Sequence, residues 1–334
     1  MRNNHNNKTK NLIVISGIII SAFFGFLAFR QFQWAALYQA IMNMDPFLFV
    51  ASGLLMIISF NLRAFRWKFF LPQNSIFTFG SRLSGIALGY FFSNILPGRL
   101  GDLIRPAYLS RTNHQKFQIC FYSIVLERVW ELVLFVMLAL FFFKLSSIRL
   151  MEALAVNYYF LAVVFATGVL FLIFVRPILR VVANLSERYK LRFIYKPVRD
   201  ILDAFTIGIH PRHFFLIIFL SIAIFFIEGL FFVCLIRSVG ISIGLANGFM
   251  VMIISALSIM LPSAPAAVGV FHYFCQLSLV IFGVEKNLAL SAAILIHAYM
   301  FVFDLIFALV CFALSPLRYR FFFSGDYLTK EQEN

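Results

Sequence analysis

Apolar positions along this chain gather into long runs separated by short basic stretches, and the runs set the expected elements. A bilayer-spanning helix needs about 20 apolar residues, so runs at 11–29, 46–62, 117–143, 154–175, 214–236 and 287–314 read as crossings. Two further stretches are interrupted. The first runs over 79–97, breaks, and resumes over 103–110. The second runs over 243–262, passes Ser263-Ala264-Pro265-Ala266-Ala267, and continues to Gly283. Each broken unit is either a hairpin or a pair of spans. The expectation is an all-α polytopic membrane protein of about six to eight transmembrane helices with two broken or re-entrant helical units.

The breaks carry the chemistry. Asn94, Pro97, Gly98, Arg99, Gly101, Asp102 and Arg105 follow directly on an apolar approach. Pro97 has no backbone N–H to give, and Gly98 and Gly101 turn without steric cost. Irregular backbone at membrane depth is tolerated only inside protein or beside water, so the first break is expected in a polar cleft. Arg82 precedes this unit and Arg111 and Lys116 follow it, which favours a hairpin entering and leaving on one face. Ser93-Asn94-Ile95-Leu96-Pro97-Gly98 resembles Ser258-Ile259-Met260-Leu261-Pro262-Ser263 about half the chain later. Paired interrupted segments in two halves point to an inverted repeat, with chance as the competing explanation of so short a match.

Composition settles the solvent. The chain is 62% hydrophobic and 13% charged, with mean hydropathy +0.92, whereas a soluble domain carries about 25% charge. The net charge of +14 does not signal nucleic acid, because the cations sit in short loops between apolar runs. That is the positive-inside pattern of a multi-pass protein of the cytoplasmic (inner) membrane with both termini cytoplasmic, and such loops attract anionic lipid. The layout is a cytoplasmic N-terminus at 1–10, one transmembrane domain at 11–316 with its main cytoplasmic loop at 176–213, and a cytoplasmic tail at 317–334. Residues 197–209 have the spacing of an amphipathic interfacial helix.

Arg63, Arg66 and Lys68 with Trp67 close the second run as an interfacial anchor, and Arg63 and Arg66, one turn apart, form a candidate headgroup-facing pair. Glu127, Arg128, Glu131, Glu228 and Asp304 lie inside apolar runs, where a lone charge costs about 2.5–3.5 kcal/mol on insertion scales. They either clamp helices together as salt bridges or balance a substrate anion in a polar cavity; the cavity is the reading taken here. Arg99 and Arg105 either cap the preceding helix or present a fork to phosphate, with Asp102 tethering one of them. Asn94 is placed to satisfy backbone groups freed by the break. His297 and Asp304, two turns apart, suit a structural histidine better than a proton relay.

Cys120, Cys234, Cys275 and Cys311 sit singly in apolar runs, which gives buried thiols and no disulfide or zinc framework. His210 and His213 have no neighbours that complete a metal site, and no cofactor is expected. No Walker A, H-E-x-x-H or G-x-S-x-G motif is present, so ATP-driven transport is not encoded in this sequence.

Leu62-Arg63-Ala64-Phe65-Arg66-Trp67, then Asn94 through Leu96-Pro97-Gly98-Arg99-Leu100-Gly101-Asp102 to Arg105, then Leu126-Glu127-Arg128 occur in an order that resembles the lysylphosphatidylglycerol synthase transmembrane-region family. That flippase-like domain is also met as stand-alone UPF0104-type proteins. Leu261-Pro262 with Pro265-Ala266-Ala267-Val268-Gly269-Val270 looks like the family's P-G-G-x-G-V element. Its double glycine is here Ala266-Ala267, its following Arg-Glu is Phe271-His272, and His297 stands where an arginine is common. The resemblance implies translocation or binding of a lipid with an anionic headgroup, an anionic phospholipid or a polyprenyl-phosphate-linked lipid. Arg99 and Arg105 would hold the phosphate. The residues of an aminoacyl-transfer domain are not in this sequence, so lysyl transfer is not expected. Two other classes stay open: a membrane-embedded transferase using Asp102 and Glu127 as acid and base, and an accessory partner of a separate synthase or glycosyltransferase.

Overall fold

The computed structural model describes residues 2–71, 77–96, 101–113, 115–145, 177–189, 213–259 and 263–315, with positions 166, 170, 174, 195, 198 and 199 between them. Pro97, Gly98, Arg99 and Pro262 lie outside the described residues, as do the tail at 317–334 and most of the stretches at 154–175 and 197–209. Among the described residues the secondary structure is helical throughout: α1 (Arg2–Phe29), α2 (Trp34–Met42), α3 (Pro46–Trp67), α4 (Phe79–Ile95), α5 (Gly101–Asn113), α6 (Phe117–Leu145), α7 (Phe214–Ser238), α8 (Leu245–Ser258), α9 (Val270–Ile281) and α10 (Lys286–Leu314).

Caps and breaks fix these ends. Asp45 precedes Pro46, and its Oδ1 accepts from the Phe47 and Leu48 amides at 2.8 and 3.2 Å, so α3 begins with an acidic cap and a proline at its first position. Thr78 caps α4 through the Ser81 amide, and Glu285 caps α10 through the Leu288 amide. The Asn287 and Leu288 amides hold the exposed Glu285 carboxyl below its usual range, so this cap persists through that range and is lost only as pH falls through the lowered value. Gln31 takes a positive φ of 68°, and α2 leaves the axis of α1 at 76°. Among the described residues three helical segments are each long and apolar enough to cross a membrane, namely Pro46–Phe70, Phe214–Ser238 and Lys286–Leu314, and the bent pair of α1 and α2, taken as one span, would be a fourth. At 29 residues α6 extends about 44 Å, but it carries Glu127, Arg128 and Glu131 through its middle.

The first broken unit is an antiparallel helical hairpin, and glycines set its spacing. A Cβ at Gly85 would lie 3.5 Å from Tyr108 Cδ1, one at Gly89 would lie 2.2 Å from Arg105 Cγ, and one at Gly101 would lie 2.1 Å from the Ser93 nitrogen. The facing positions run in opposite directions along α4 and α5. Pro106 inside α5 leaves the Asp102 carbonyl without its helical donor. In the second broken unit, α8 passes through a short 3₁₀ turn at Pro265–Ala267 into α9. That turn packs on α4, so the two units meet.

Helix α1 braces the second break. Gly17, Ser21 and Gly25 recur every four residues on one face, a small-residue stripe that allows close backbone approach. The Ser21 hydroxyl accepts from the Ala264 amide at 2.7 Å, and a Cβ at Gly269 would lie 2.3 Å from the Ser21 carbonyl oxygen. Ala266 and Ala267, which replace the expected glycines, keep the left-handed backbone at φ 57° and 54°. Such a conformation costs an L-residue roughly 1–2 kcal/mol. Gly269→Ala, at φ 87° and against backbone, is therefore expected to destabilise by more than about 2 kcal/mol, whereas Ala266→Gly should be neutral or stabilising by up to about 1 kcal/mol. Melting temperatures of the two variants in detergent check the contrast.

Candidate functional site

Four helices bring their charges to one place. Helical spacing puts Arg63 and Arg66 on one side of α3, Glu127 and Glu131 one turn apart on α6, and Asp102 and Arg105 one turn apart on α5. Glu228 comes from the middle of α7. The α3–α7 contact is the most extensive helix pairing in the fold, and it is helped by Ser52 and Ser59, whose small side chains are buried.

The ion pairs form a continuous chain. Asp102 Oδ1 accepts from Arg128 Nη2 at 2.7 Å, and Arg128 Nη1 donates to Glu131 Oε2 at 2.7 Å. Glu131 Oε1 accepts from Arg63 Nη1 at 2.6 Å and, very closely, from Arg66 Nη2. Arg66 Nη2 also donates to Glu127 Oε1 at 3.0 Å, and Glu127 Oε2 accepts from Arg105 Nη2 at 2.6 Å. At the other branch Arg63 donates Nε and Nη2 to Glu228 Oε1, which also accepts from the Ser59 hydroxyl at 2.8 Å. Four arginines thus meet four carboxylates, and among the described residues the network is neutral.

The network has a sealed end and an open end. Arg66, Arg105 and Glu127 are buried, whereas the side chains of Asp102, Arg128, Glu131 and Glu228 are between one fifth and one third exposed. At the sealed end the Arg105 guanidinium lies 4.4 Å over the Trp67 ring, and Trp67 Nε1 donates to Ser123 Oγ at 3.0 Å. Arg66 Nη1 and Trp130 Nε1 both donate to Ser221 Oγ. The open end borders a cleft of about 230 Å³. Its polar wall is Arg63, Tyr90, Arg128, Glu131 and Glu228, with Arg66 and Ser221 at its inner end; its apolar wall is Leu132, Leu134, Phe135, Leu138, Ile224, Phe225 and Ala256. The site therefore offers guanidinium donors on one side and hydrocarbon on the other.

Of the residues singled out in the sequence, Arg63, Arg66, Asp102, Arg105, Glu127, Arg128, Glu131 and Glu228 converge here. Several local readings are corrected. Trp67 is not an interfacial anchor but fully buried, because α5 and α6 cover it; Arg66 is buried as well, at the inner end of the cleft. Arg105 is held by Glu127 while Asp102 pairs with Arg128, since α6 packs on α5 and supplies both partners; an Asp102 tether to Arg99 falls outside the described residues. Asn94 does not serve local backbone: its Nδ2 donates to Asp304 Oδ2 at 2.9 Å across the fold. His297 Nδ1 instead lies 3.4 Å from His272 Nε2, so the described contacts of His297 and Asp304 diverge. Gly101, Pro265 and Gly269 act through backbone packing, as above. Tyr90, Ser59 and Ser221 were not anticipated, although Ser59 stands one turn before Arg63 and Ser221 two turns before Glu228. Among the described residues no cluster of metal-ligating side chains occurs.

Burial ranks the members. Removing one partner of a buried ion pair costs about 3–5 kcal/mol, because the other charge is left unpaired in low dielectric. Glu127→Gln, which strands Arg66 and Arg105 at the sealed end, is expected to lower stability by that order. Asp102→Asn, at the open end, should cost under about 1 kcal/mol. Thermal unfolding of the purified variants in one detergent checks the ranking.

The family model described as lysylphosphatidylglycerol synthase TM region matches residues 14–308. A "UPF0104 membrane protein" of Methanocaldococcus jannaschii is 24% identical over 163 residues, which is 46% of this chain and 46% of that protein. The chain thus spans under half the length of the curated relative it matches. The charged helices α3, α5 and α6 and the braced second break all fall within the matched region, and the chain belongs to the lysylphosphatidylglycerol synthase transmembrane-region family.

Proposed function

We propose that this chain translocates a lipid with a phosphate-bearing anionic headgroup between membrane leaflets, the headgroup seating at the open end of the arginine network. The family association supports a function tied to membrane lipid. The observation that carries the finer reading is the two-sided cleft, in which Arg63 and Arg128 face a wall made of α6 and α7 side chains such as Phe135 and Phe225. Guanidinium forks match phosphate oxygens, and the apolar wall matches the first methylenes of an acyl chain. In this reading the cleft of about 230 Å³ takes the headgroup and the start of a chain, while the rest of the acyl chains stays in the bilayer.

Arg99, in the break between α4 and α5, is the further phosphate ligand in this reading, and Pro97, Gly98 and Pro262 belong to the breaks that let the two halves rearrange. The contact between α4 and the Pro265–Ala267 turn gives such a rearrangement a joint where the two broken units touch. The positive-inside pattern orients the protein in a cytoplasmic membrane with both termini inside. A transferase reading gains nothing from the geometry, because Glu127 is locked between two guanidinium groups and Asp102 is paired with Arg128.

In proteoliposomes, labelled phosphatidylglycerol is expected to change leaflet faster than labelled phosphatidylcholine. Arg63→Ala and Arg99→Ala are each expected to cut the phosphatidylglycerol rate by at least about tenfold while the protein stays folded. Absence of transfer by folded wild type, or a new covalent lipid product, would contradict translocation.

A further inference from the structure

One carboxylate in the network is placed unlike the others. Glu131 receives three guanidinium groups, from Arg63, Arg66 and Arg128, and it lines the cleft. Glu127 also bridges two arginines but is 1% exposed and out of reach of a ligand. Glu228 lines the cleft too, yet takes only Arg63 among the arginines. Planar forks converging on two oxygens are the arrangement that arginines give a bound phosphate. Here the protein's own side chain fills it.

We propose that Glu131 is a built-in stand-in for the substrate anion, and that headgroup phosphate binds by exchanging with the Glu131 carboxylate on Arg63 and Arg128. This rests on the headgroup reading above and extends it to how the lipid is released. Charge balance motivates the exchange. Arg63 and Arg128 already carry Glu131, Glu228 and Asp102, so an anion added without displacement would sit directly against those carboxylates in a largely apolar cleft. If Glu131 steps aside, the arginines keep an anionic partner before, during and after passage. Their desolvation is never left uncompensated, and the lipid is held loosely enough to leave. A translocation site requires both properties, since a ligand bound too tightly does not exit.

The test uses the full chain in detergent, with dioctanoyl phosphatidylglycerol as the probe, followed by leaflet transfer of labelled phosphatidylglycerol in proteoliposomes. Glu131→Gln removes the competing charge and is expected to bind the probe at least about tenfold more tightly while transferring lipid more slowly than wild type. Glu131→Asp keeps the charge but withdraws it by one methylene, and is expected to fall between. Unchanged or weaker binding by folded Glu131→Gln overturns the proposal. If that variant does not fold, Glu131→Asp decides in the same way: tighter binding supports the exchange, and equal or weaker binding overturns it. Arg63→Ala separates the two levels of the argument. If wild type and Arg63→Ala bind the probe alike, the headgroup site itself is wrong. If Arg63 is needed and neither Glu131 variant binds more tightly, the site stands and only the stand-in role falls.

Discussion

Arginine and glutamate at membrane depth must find each other or leave the membrane, and the fold is arranged around that requirement. Arg66, Arg105 and Glu127 are all but inaccessible, so none of them can be solvated by water or by headgroups. Each is stable there only because α3, α5 and α6 supply opposite charge at hydrogen-bond distance. The consequence for packing is strict. A shift of α6 by one residue would carry Glu127 and Glu131 off their arginines, so the ion pairs fix the register of three helices at once. The partly exposed members at the cleft are free of that structural duty to the degree that water or a ligand can replace a partner.

Close backbone approach makes the network reachable. Gly89 and Gly101 let α4 and α5 lie near enough that the stem of Arg105 passes over the α4 backbone toward Trp67 and Glu127. At the second break, Gly17, Ser21 and Gly25 let α1 press on the turn that holds the strained Ala266 and Ala267. Small residues thus set the close approach in both units, and the turn of the second rests on α4 of the first.

Much of the helical layout was legible in the sequence, because lipid obliges backbone groups to pair within each segment and so ties run length to helix. The run at 46–62 is the core of α3, and that at 214–236 is the core of α7. The charged members of the site were legible for the same reason: Glu127, Glu131 and Glu228 stand out inside apolar runs. Their pairing was legible only where it is local: Arg128 and Glu131, three residues apart on α6, do pair. Arg63 meets Glu228 across 165 residues of sequence, and no local spacing encodes that contact. Trp67 misled because tryptophan beside arginine looks the same at a membrane interface as in a core where Arg105 stacks on it. Asn94 misled because an amide near a break has local backbone within reach, whereas its partner Asp304 arrives on the last helix.

The proposed seat of the lipid headgroup is the cleft between α3, α6 and α7, with its chain along the apolar wall. Photo-crosslinking tests it most directly: a phosphatidylglycerol carrying a diazirine near the start of one acyl chain is incorporated with the wild-type protein, activated, and the labelled residues are mapped. The account expects label on Leu134, Phe135, Leu138, Ile224 or Phe225, reduced by excess unlabelled phosphatidylglycerol. Label confined to outward-facing positions such as Phe215, Phe219 and Leu309, with none in the cleft, would contradict it.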